Sequence, residues 1–242
     1  GLAAYNRKRL IDQKVPFIIP GNQLYLPDLG IDFREHLRKV RKKRPKLSPS
    51  AQMVLLGNLL GKFTTEACTA TVLAEVFQST KMTMSRAIDD LECNELIETR
   101  SEWREKQIYF KGTGRELWEK AQSVLRSPVQ KRVFVESTEW PIGSIAGLSA
   151  LSERTMIVRP PREVRALTSN EWKALQIDAN LRIIPNVSSD MAPVELEIWK
   201  YDPRLLSENG QVDPLSLYLS LSGTDDERVE GALDQLLEDM PW

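Results

Sequence analysis

The stretch QSTKMTMSRAIDDLECNELIETRSEWREKQIYF, residues 78–110, limits the possible folds more than any other part of the chain. It runs from a polar turn through a helical pattern into two short strand-like segments around a charged loop. Met84, Ile88 and Leu91 are spaced i, i+4 and i+7, which predicts one buried face of a helix. The remaining positions predict a polar, partly basic outer face, made of Lys81, Thr83, Arg86 and Asp90.

The segments on either side extend this pattern. A helix is expected to begin at Ser48-Pro49, because serine caps a helix N-terminus and proline fits its first turn. A second helix is expected in TATVLAEVFQ, residues 69–78. Asn94 is a candidate for the left-handed residue that ends the third helix. LIETR (96–100) and IYFK (108–111) predict two strands, so the order is helix, helix, turn, helix and a two-stranded hairpin.

Further elements are expected on both sides of this module. RELWEKAQSVL, residues 115–125, predicts a helix whose apolar side either caps the core or pairs with a second subunit. Residues 5–13 predict a short helix, and two apolar runs around Gly21-Asn22-Gln23 predict a hairpin. Beyond Ser127-Pro128, strand and helix patterns alternate, which predicts an α+β or α/β domain. These patterns are RVFVES, GSIAGLSALSER, EVRALT, NEWKAL, PVELEIWKY and a closing pair of helices.

We therefore expect an α+β protein in three parts. They are a helix and hairpin with a basic linker at 1–46, the helical module at 47–127, and a compact domain at 128–242. A helix and hairpin alone cannot bury their apolar faces. The chain also begins at Gly1 without an initiator methionine, so we expect the first part to belong to a longer upstream region.

Charge is divided unequally along the chain. Residues 1–131 contain 23 Lys and Arg against 15 Asp and Glu, a net charge of +8, whereas residues 132–242 contain 10 against 19, a net charge of −9. Seven of the basic residues lie within positions 38–46. Such asymmetry indicates a part that faces a polyanion joined to an acidic part.

The order from Leu47 to Leu125 resembles the winged helix-turn-helix of MarR-type transcriptional regulators. The resemblance is carried by LAEVFQSTKMTMSRAIDDLECNELIETR, which is similar to the family's Leu-Ala-Glu, turn, Thr-Met-Ser-Arg and Leu-containing helix that closes on a hydrophobic strand. The chain departs from the family at Cys93-Asn94-Glu95, where relatives place a glycine. The resemblance therefore implies the fold but not the direction in which the chain enters the wing.

Such a helix reads DNA through a polar N-terminal segment, while its apolar rear fixes its angle in the major groove. Thr80, Lys81, Thr83 and Arg86 are the candidates for base contacts, and Arg104 and Lys106 at the wing tip are candidates for phosphate or minor-groove contacts. A solvated charged face is the alternative for a lone helix. The preceding turn, the wing and the basic half of the chain favour nucleic acid here.

Other residues leave two interpretations open. The basic segment either follows phosphates beside the module or is a solvated linker; its candidates for DNA binding are Arg41, Lys42, Lys43 and Arg44. Trp103 in the wing either stacks on a nucleotide or packs on its neighbour, which is the commoner arrangement. His36 is expected at the surface.

Enzymatic and metal chemistry are not expected. One histidine and two separated cysteines leave almost nothing from which to build a zinc site or a catalytic pair, and Cys68 and Cys93 are expected to be inert thiols. Glu197 and Lys200 are separated by two residues, so on a strand they face opposite sides. There is no phosphate-binding glycine loop. We expect no cofactor and no metal.

The sequence also carries indications of the compartment and of the function of the second domain. No apolar run approaches the ~18 residues of a membrane helix, and two cysteines fit a reducing cytoplasm. AGLSALSERTMIVRPP and VDPLSLYLSLSGTDDERVEGALDQLLEDMPW are similar to segments of abortive-infection-type antitoxins, which are paired with a nucleotidyltransferase toxin. The apolar side of the closing helix, Val229, Leu233, Leu236 and Leu237, either finishes the domain's own core or docks on a basic partner.

We thus expect a cytoplasmic, sequence-specific regulator of transcription, such as a repressor, that binds double-stranded DNA as a homodimer, because paired half-sites multiply the few base contacts of one winged helix. The alternative is a protein-interaction module, or an antitoxin that neutralises a toxin through its acidic domain.

Overall fold

The computed structural model describes residues 4–20, 23–34, 45–64, 68–102, 105–136, 142–177, 183–184 and 194–242. The chain divides into two compact units, Gly1–Lys42 and Lys43–Trp242. The expected boundary at residues 127 and 128 falls inside the second unit. Within the described ranges, helices alternate with sheets, so the expected α+β class is confirmed.

The first unit combines one helix with a three-stranded antiparallel sheet. Helix α1 spans Ala4–Asp12, and the sheet order is β1 (Phe17–Ile19), β2 (Gln23–Leu26) and β3 (Ile31–Arg34). The predicted helix and hairpin are confirmed, although Gly21 and Asn22 of the turn lie outside the described residues. The third strand was not predicted; Gly30, with φ 67°, turns the chain into it.

The second unit begins with a helical section. Helices α2 (Pro49–Leu59), α3 (Ala70–Val76) and α4 (Lys81–Cys93) precede the antiparallel strands β4 (Ile97–Glu102) and β5 (Glu105–Phe110). Helix α5 (Gly114–Ala121) follows. The predicted order of elements is therefore confirmed. As expected, the Ser48 hydroxyl caps α2 by accepting a hydrogen bond from the Ala51 N–H.

A sheet section follows. Its elements in chain order are β6 (Val129–Val135), β7 (Ser144–Ile145), α6 (Gly147–Arg154), β8 (Glu163–Thr168), α7 (Ser169–Ile177), β9 (Val194–Trp199), α8 (Pro214–Leu221) and α9 (Glu227–Glu238). The strand order is β6-β9-β8-β7; β8 and β9 are parallel, and the other two pairs are antiparallel. GSIAGLSALSER was expected to be wholly helical, but its residues 144 and 145 form strand β7.

One hydrophobic core joins the helical and sheet sections. Buried side chains from α2, α4 and α5 form a single cluster with those from α6, α8 and α9. Trp118 of α5 lies against Tyr218 of α8, with ring centroids 5.6 Å apart. Gln52 of α2 is fully buried and exchanges two hydrogen bonds with the backbone of Arg126, at 2.9 and 3.0 Å. The apolar side of α5 therefore caps this core, which was one of the two interpretations of this helix from the sequence.

A second, smaller cluster includes Leu167, Trp172 and Leu196. Among the residues that the structure describes, no helix is long and apolar enough to cross a membrane.

Two expectations for α4 are wrong. Asn94 is not left-handed: its φ is −92°, and Glu95 takes the positive φ of 61° instead. Asn94 is buried, and its side-chain amide donates a hydrogen bond to the Asp90 carbonyl in the last turn of α4. Asp90, expected on the outer face, is 92% buried because it accepts a hydrogen bond from the Ser48 N–H at 2.7 Å.

Candidate nucleic-acid interface

The rear of α4 is fixed in the core. Met84 and Leu91 are fully buried and Ile88 nearly so, as the spacing predicted. The Asp90 carboxylate binds the first residue before α2, and this bond joins α4 to the start of that helix. The direction of α4 is consequently determined by packing on one side and by a hydrogen bond near its end.

The turn before α4 is equally defined. Phe77 ends α3, is 99% buried, and packs edge-on against Phe63 with ring centroids 5.8 Å apart. Gln78 adopts a left-handed φ of 46°, and the Ser79 N–H donates to the Ala74 carbonyl at 2.8 Å. The first residues of α4 therefore have a fixed position relative to α2 and α3.

Thr80 is the N-cap of α4. Its hydroxyl oxygen accepts a hydrogen bond from the Thr83 N–H at 3.1 Å, and the two threonine hydroxyl oxygens are 2.9 Å apart. Such a cap satisfies one of the unpaired N–H groups at the helix start. Both threonines, predicted as base-contacting residues, thus contribute to the helix start in this structure.

The first turn and a half of α4 presents exposed side chains. Lys81, Ser85 and Arg86 are exposed, and Met82 is 66% exposed. Within the described parts of the chain, the Arg86 guanidinium has neither a hydrogen bond nor an ion pair. This surface, Lys81, Met82, Ser85 and Arg86, is called the α4 tip below. It offers hydrogen-bond donors, a hydroxyl and an apolar thioether on one rigid helix end.

The hairpin β4–β5 is tied to α4. The Thr99 hydroxyl donates to the Glu92 carboxylate at 2.6 Å, and the Lys106 ammonium lies 4.0 Å from the Asp89 carboxylate. Lys106 was predicted as a wing residue for phosphates; in this structure it faces α4 through this ion pair. The hairpin is thereby held beside the helix that carries the α4 tip.

The outer side of the hairpin carries a further cation and an aromatic ring. The Arg100 guanidinium lies 4.7 Å from the centre of the Tyr109 ring, and the Tyr109 hydroxyl donates to the Gln107 amide oxygen at 2.7 Å. Neither Arg100 nor Tyr109 was predicted as a site residue. The alternation of side chains along a strand was the available signal, because it places both on the face opposite Ile97 and Ile108.

Several predicted residues lie outside the described ranges. They are Arg104 and Trp103 of the wing loop, His36, and the basic residues Arg41, Lys42, Lys43 and Arg44. Sequence reasoning also missed Met82 and Ser85. Met82 lies two residues before the buried Met84, which turns it about 200° away on a helix, so helical spacing alone would have placed it on the exposed side.

The two cysteines occupy different environments. Cys68 is 99% buried, and burial raises the pKa of its thiol to about 11. Neither Cys68 nor Cys93 forms a disulfide within the described structure, and Cys93 is partly exposed at the end of α4. A high pKa leaves little of the reactive thiolate at neutral pH, which agrees with the expectation of an inert Cys68.

Glu197 and Lys200, expected on opposite sides of a strand, take separate structural contacts. Glu197 is 99% buried and accepts hydrogen bonds from Arg132 and from the Trp199 indole N–H. Burial raises the pKa of Glu197 against the opposing effect of those hydrogen bonds. The Lys200 ammonium donates to the Ser127 carbonyl at 2.9 Å. Among the described residues, no cluster of three or more potential ligands could hold a metal ion.

Comparison with family models, with curated proteins and with solved structures finds no match for this chain. Function is therefore argued from the geometry of the chain itself.

Proposed function

We propose that this chain is a sequence-specific, double-stranded DNA-binding regulator of transcription. Residues 47–127 act as a winged helix-turn-helix domain, with α4 in the major groove and the hairpin β4–β5 as the wing on the DNA backbone. The observation that carries the proposal is the α4 tip, where Arg86 extends without a partner in the described structure from a helix whose rear is buried.

The chemistry of the α4 tip supports reading of base edges. The major groove is about 12 Å wide and admits one α-helix, and arginine can donate two hydrogen bonds to the O6 and N7 atoms of guanine. Lys81 adds a positive charge, Ser85 can donate or accept, and the exposed Met82 can contact a thymine methyl group. A rigid helix start is needed for such contacts, and the Thr80 cap and the buried Met84 supply it.

The position of the hairpin supports the placement of α4 in the major groove. It is joined to α4 by the Thr99–Glu92 hydrogen bond, so a helix placed in the major groove brings β4 and β5 towards an adjacent part of the backbone. Arg100, held over Tyr109, provides a cation on the outer side of the hairpin. Phosphate contacts of this kind set register and orientation, whereas base contacts set sequence preference.

A homodimer is part of the proposal. One winged helix reads few bases, and two copies separated by about 34 Å would read two half-sites on one side of the duplex. Dimerisation would therefore raise sequence preference without new base-contacting residues in the chain.

Fluorescence anisotropy tests the proposal. The probes are a duplex from the gene's own upstream region and a scrambled duplex of equal length and composition, each measured at two salt concentrations. We expect tighter, salt-sensitive binding to the upstream duplex. Arg86→Ala should weaken it by about 1–3 kcal/mol, the cost of one lost base contact.

Arg115→Ala is the matched control, because Arg115 is an exposed helical arginine on α5 that pairs with Glu119. It should leave affinity for the upstream duplex within about twofold of the unchanged protein, as expected for a surface substitution away from the interface. Equal, weak binding of the unchanged protein to both duplexes would exclude sequence-specific recognition.

A second candidate function is binding of a basic partner protein, such as a toxin, by the acidic section. Its support is the outer side of α9, where exposed carboxylates recur at helical spacing: Glu227, Glu230, Asp234 and Glu238. The apolar side of α9 lies in the chain's own core, so this partner would contact the charged side. Arg86→Ala should then leave capture of that partner unchanged in a pull-down, while binding to the upstream duplex is weakened.

A further inference from the structure

A groove of about 970 Å³ lies where the helical section meets the sheet section. Its walls come from Lys46, the chain between residues 122 and 127, the first half of β6, and residues 218–224 at the end of α8. Small-molecule sites commonly have volumes of about 300–1,000 Å³ and often lie between structural sections. The groove has the size and the place of such a site.

The charge on the walls is one-sided. Among the described residues, the wall includes four cationic residues and no acidic one; the cationic residues are Lys46, Arg126, Lys131 and Arg132. The charge of Arg132 is neutralised by two carboxylates: Glu197 Oε1 lies 3.1 Å from Arg132 Nη2, and Glu195 Oε1 lies 3.2 Å from Arg132 Nε.

The other three cations have no carboxylate partner within the described residues. The Lys46 ammonium donates to two backbone carbonyls, those of Ser123 and Leu125, at 3.2 and 2.8 Å. Lys131 lies over the Trp172 ring at 4.9 Å. Neighbouring residues of a strand face opposite sides of the sheet, so the Lys131 ammonium lies on the side away from Arg132, next to Trp172, which is not part of the groove wall. The positive charge of the groove therefore comes from Lys46 and Arg126.

Arg126 is the best-positioned of these cations. Its backbone is held on both sides by the buried Gln52 side chain, at 2.9 and 3.0 Å. Its side-chain Nε is buried and, among the residues that the structure describes, has no hydrogen-bond partner. Leaving a charged donor buried and unpaired is costly, and a bound anion would remove that cost.

Lys200 provides an independent indication of the positive potential. Partial burial, and next to it the charge of Arg126, lower the pKa of the Lys200 ammonium. An anion bound beside Arg126 would relieve that repulsion.

We propose that this groove binds a small phosphorylated molecule, with the Arg126 guanidinium and the Lys46 ammonium group beside its phosphate oxygens. A guanidinium matches phosphate by two parallel hydrogen bonds, and an ammonium acts as a compact charge. The uncharged wall, which includes Leu125 and Tyr218, suits the organic part of a phosphate ester such as a nucleotide.

The groove is separate from the proposed DNA-reading surface. The α4 tip begins at Lys81, whereas Asp90, nine residues further along α4, binds Ser48 next to the Lys46 end of the groove. Nine residues of helix span about 13.5 Å. The proposal for the groove therefore does not depend on the proposed function of the α4 tip.

Isothermal titration calorimetry with sodium pyrophosphate and with ATP, at constant ionic strength, tests the proposal. We expect one molecule of each probe to bind per chain. Arg126→Gln and Lys46→Gln should each weaken binding by about tenfold, the cost of losing one charge-assisted contact. Arg115→Gln, an exposed arginine on α5 that is not part of the groove wall, should leave both affinities unchanged.

Absence of binding by both probes to the folded, unchanged protein would overturn the proposal. Undiminished affinity in both groove variants would also overturn it, because the probes would then bind elsewhere. Lys46 is exposed, so its variant decides the matter if Arg126→Gln fails to give the circular dichroism spectrum of the unchanged protein. If the unchanged protein binds no pyrophosphate and Arg126→Gln loses affinity for duplex DNA, the proposal of a small ligand is overturned. The groove then contacts the nucleic-acid backbone.

Discussion

Gly57 shows how a single missing side chain supports the α4 tip. It lies inside α2, where alanine would be favoured by about 1 kcal/mol. A Cβ at this position would lie 2.6 Å from the Phe77 ring, which ends α3 and is buried in the core. Phe77 immediately precedes the turn into α4, so the glycine permits the close approach that sets this turn.

Gly57→Ala should therefore destabilise the protein despite its better helix propensity. Overpacking of a core costs roughly 1–3 kcal/mol, so we expect a net loss of up to ~2 kcal/mol in the free energy of unfolding. Gly231→Ala is the matched control, because Gly231 lies in α9 with open space around its missing Cβ; it should gain stability. Urea unfolding followed by circular dichroism measures both. Shifts of the same sign in the two variants would contradict the argument.

At the scale of the element, α4 depends on how it begins. The Thr80 hydroxyl caps the helix, and replacing such a cap by alanine typically costs 0.5–2 kcal/mol. Thr80→Ala should lower the free energy of unfolding by about 1 kcal/mol, whereas Thr80→Ser should restore most of the loss because it keeps the oxygen acceptor. Urea unfolding of both variants checks this. Equal stability of the alanine and serine variants would show that the cap contributes nothing.

Some features of α4 could be predicted from the sequence, and others could not. Met84, Ile88 and Leu91 were predictable because helical spacing depends only on neighbours along the chain. The burial of Asp90 was not, because its partner, Ser48, lies 42 residues earlier and only the folded chain brings them together. The Asn94 prediction followed a general preference for asparagine at a left-handed position, and the hydrogen bond from its amide to Asp90 overrode it.

For the candidate site, the polar residues at the start of α4 followed from the helical pattern, but their roles did not. Thr80 and Thr83 hydrogen-bond to each other at the start of α4, and Lys106 of the hairpin pairs with Asp89 of α4. These contacts depend on local geometry that residue type does not specify. Lys81 and Arg86 are predicted base-contacting residues that are exposed at the α4 tip.

At the scale of the whole molecule, the helical and sheet sections share one core, which the sequence did not indicate because Ser127-Pro128 has the composition of a linker. Joined by Gln52, Trp118 and Tyr218, the two sections should unfold in one transition. Residues 43–131 contain 14 Lys and Arg against 11 Asp and Glu, a net charge of +3, so the unit from residue 43 onward combines this with the −9 of residues 132–242. The other +5 of the basic half belongs to residues 1–42.

Asp213 makes the stability of this unit depend on pH. It caps α8 through Oδ1, is 99% buried, and its Oδ2 has no hydrogen-bond partner. Burial raises the pKa of the Asp213 carboxyl, against the lowering effects of its hydrogen bonds and of Arg154. As pH rises above the pKa of the unfolded chain, about 3.9, the unfolded state loses the proton first. Stability from this group therefore falls until pH passes the folded pKa, and is constant beyond it.

Asp213→Asn keeps a residue that caps helices well and removes the buried charge. We expect the free energies of unfolding of the two proteins to differ least below pH 4 and to diverge in favour of the variant as pH rises towards neutrality, since the unchanged protein alone carries the penalty. Urea unfolding at intervals from pH 4 to pH 8 measures the difference. Asp226→Asn, the same change at the exposed cap of α9, controls for the loss of one charge at a helix start. The opposite result would be a difference in free energy of unfolding, Asp213→Asn minus the unchanged protein, that is smaller at pH 8 than at pH 4. It would mean that the Asp213 carboxylate is stabilised where it lies, and that the effect of Arg154 outweighs that of burial.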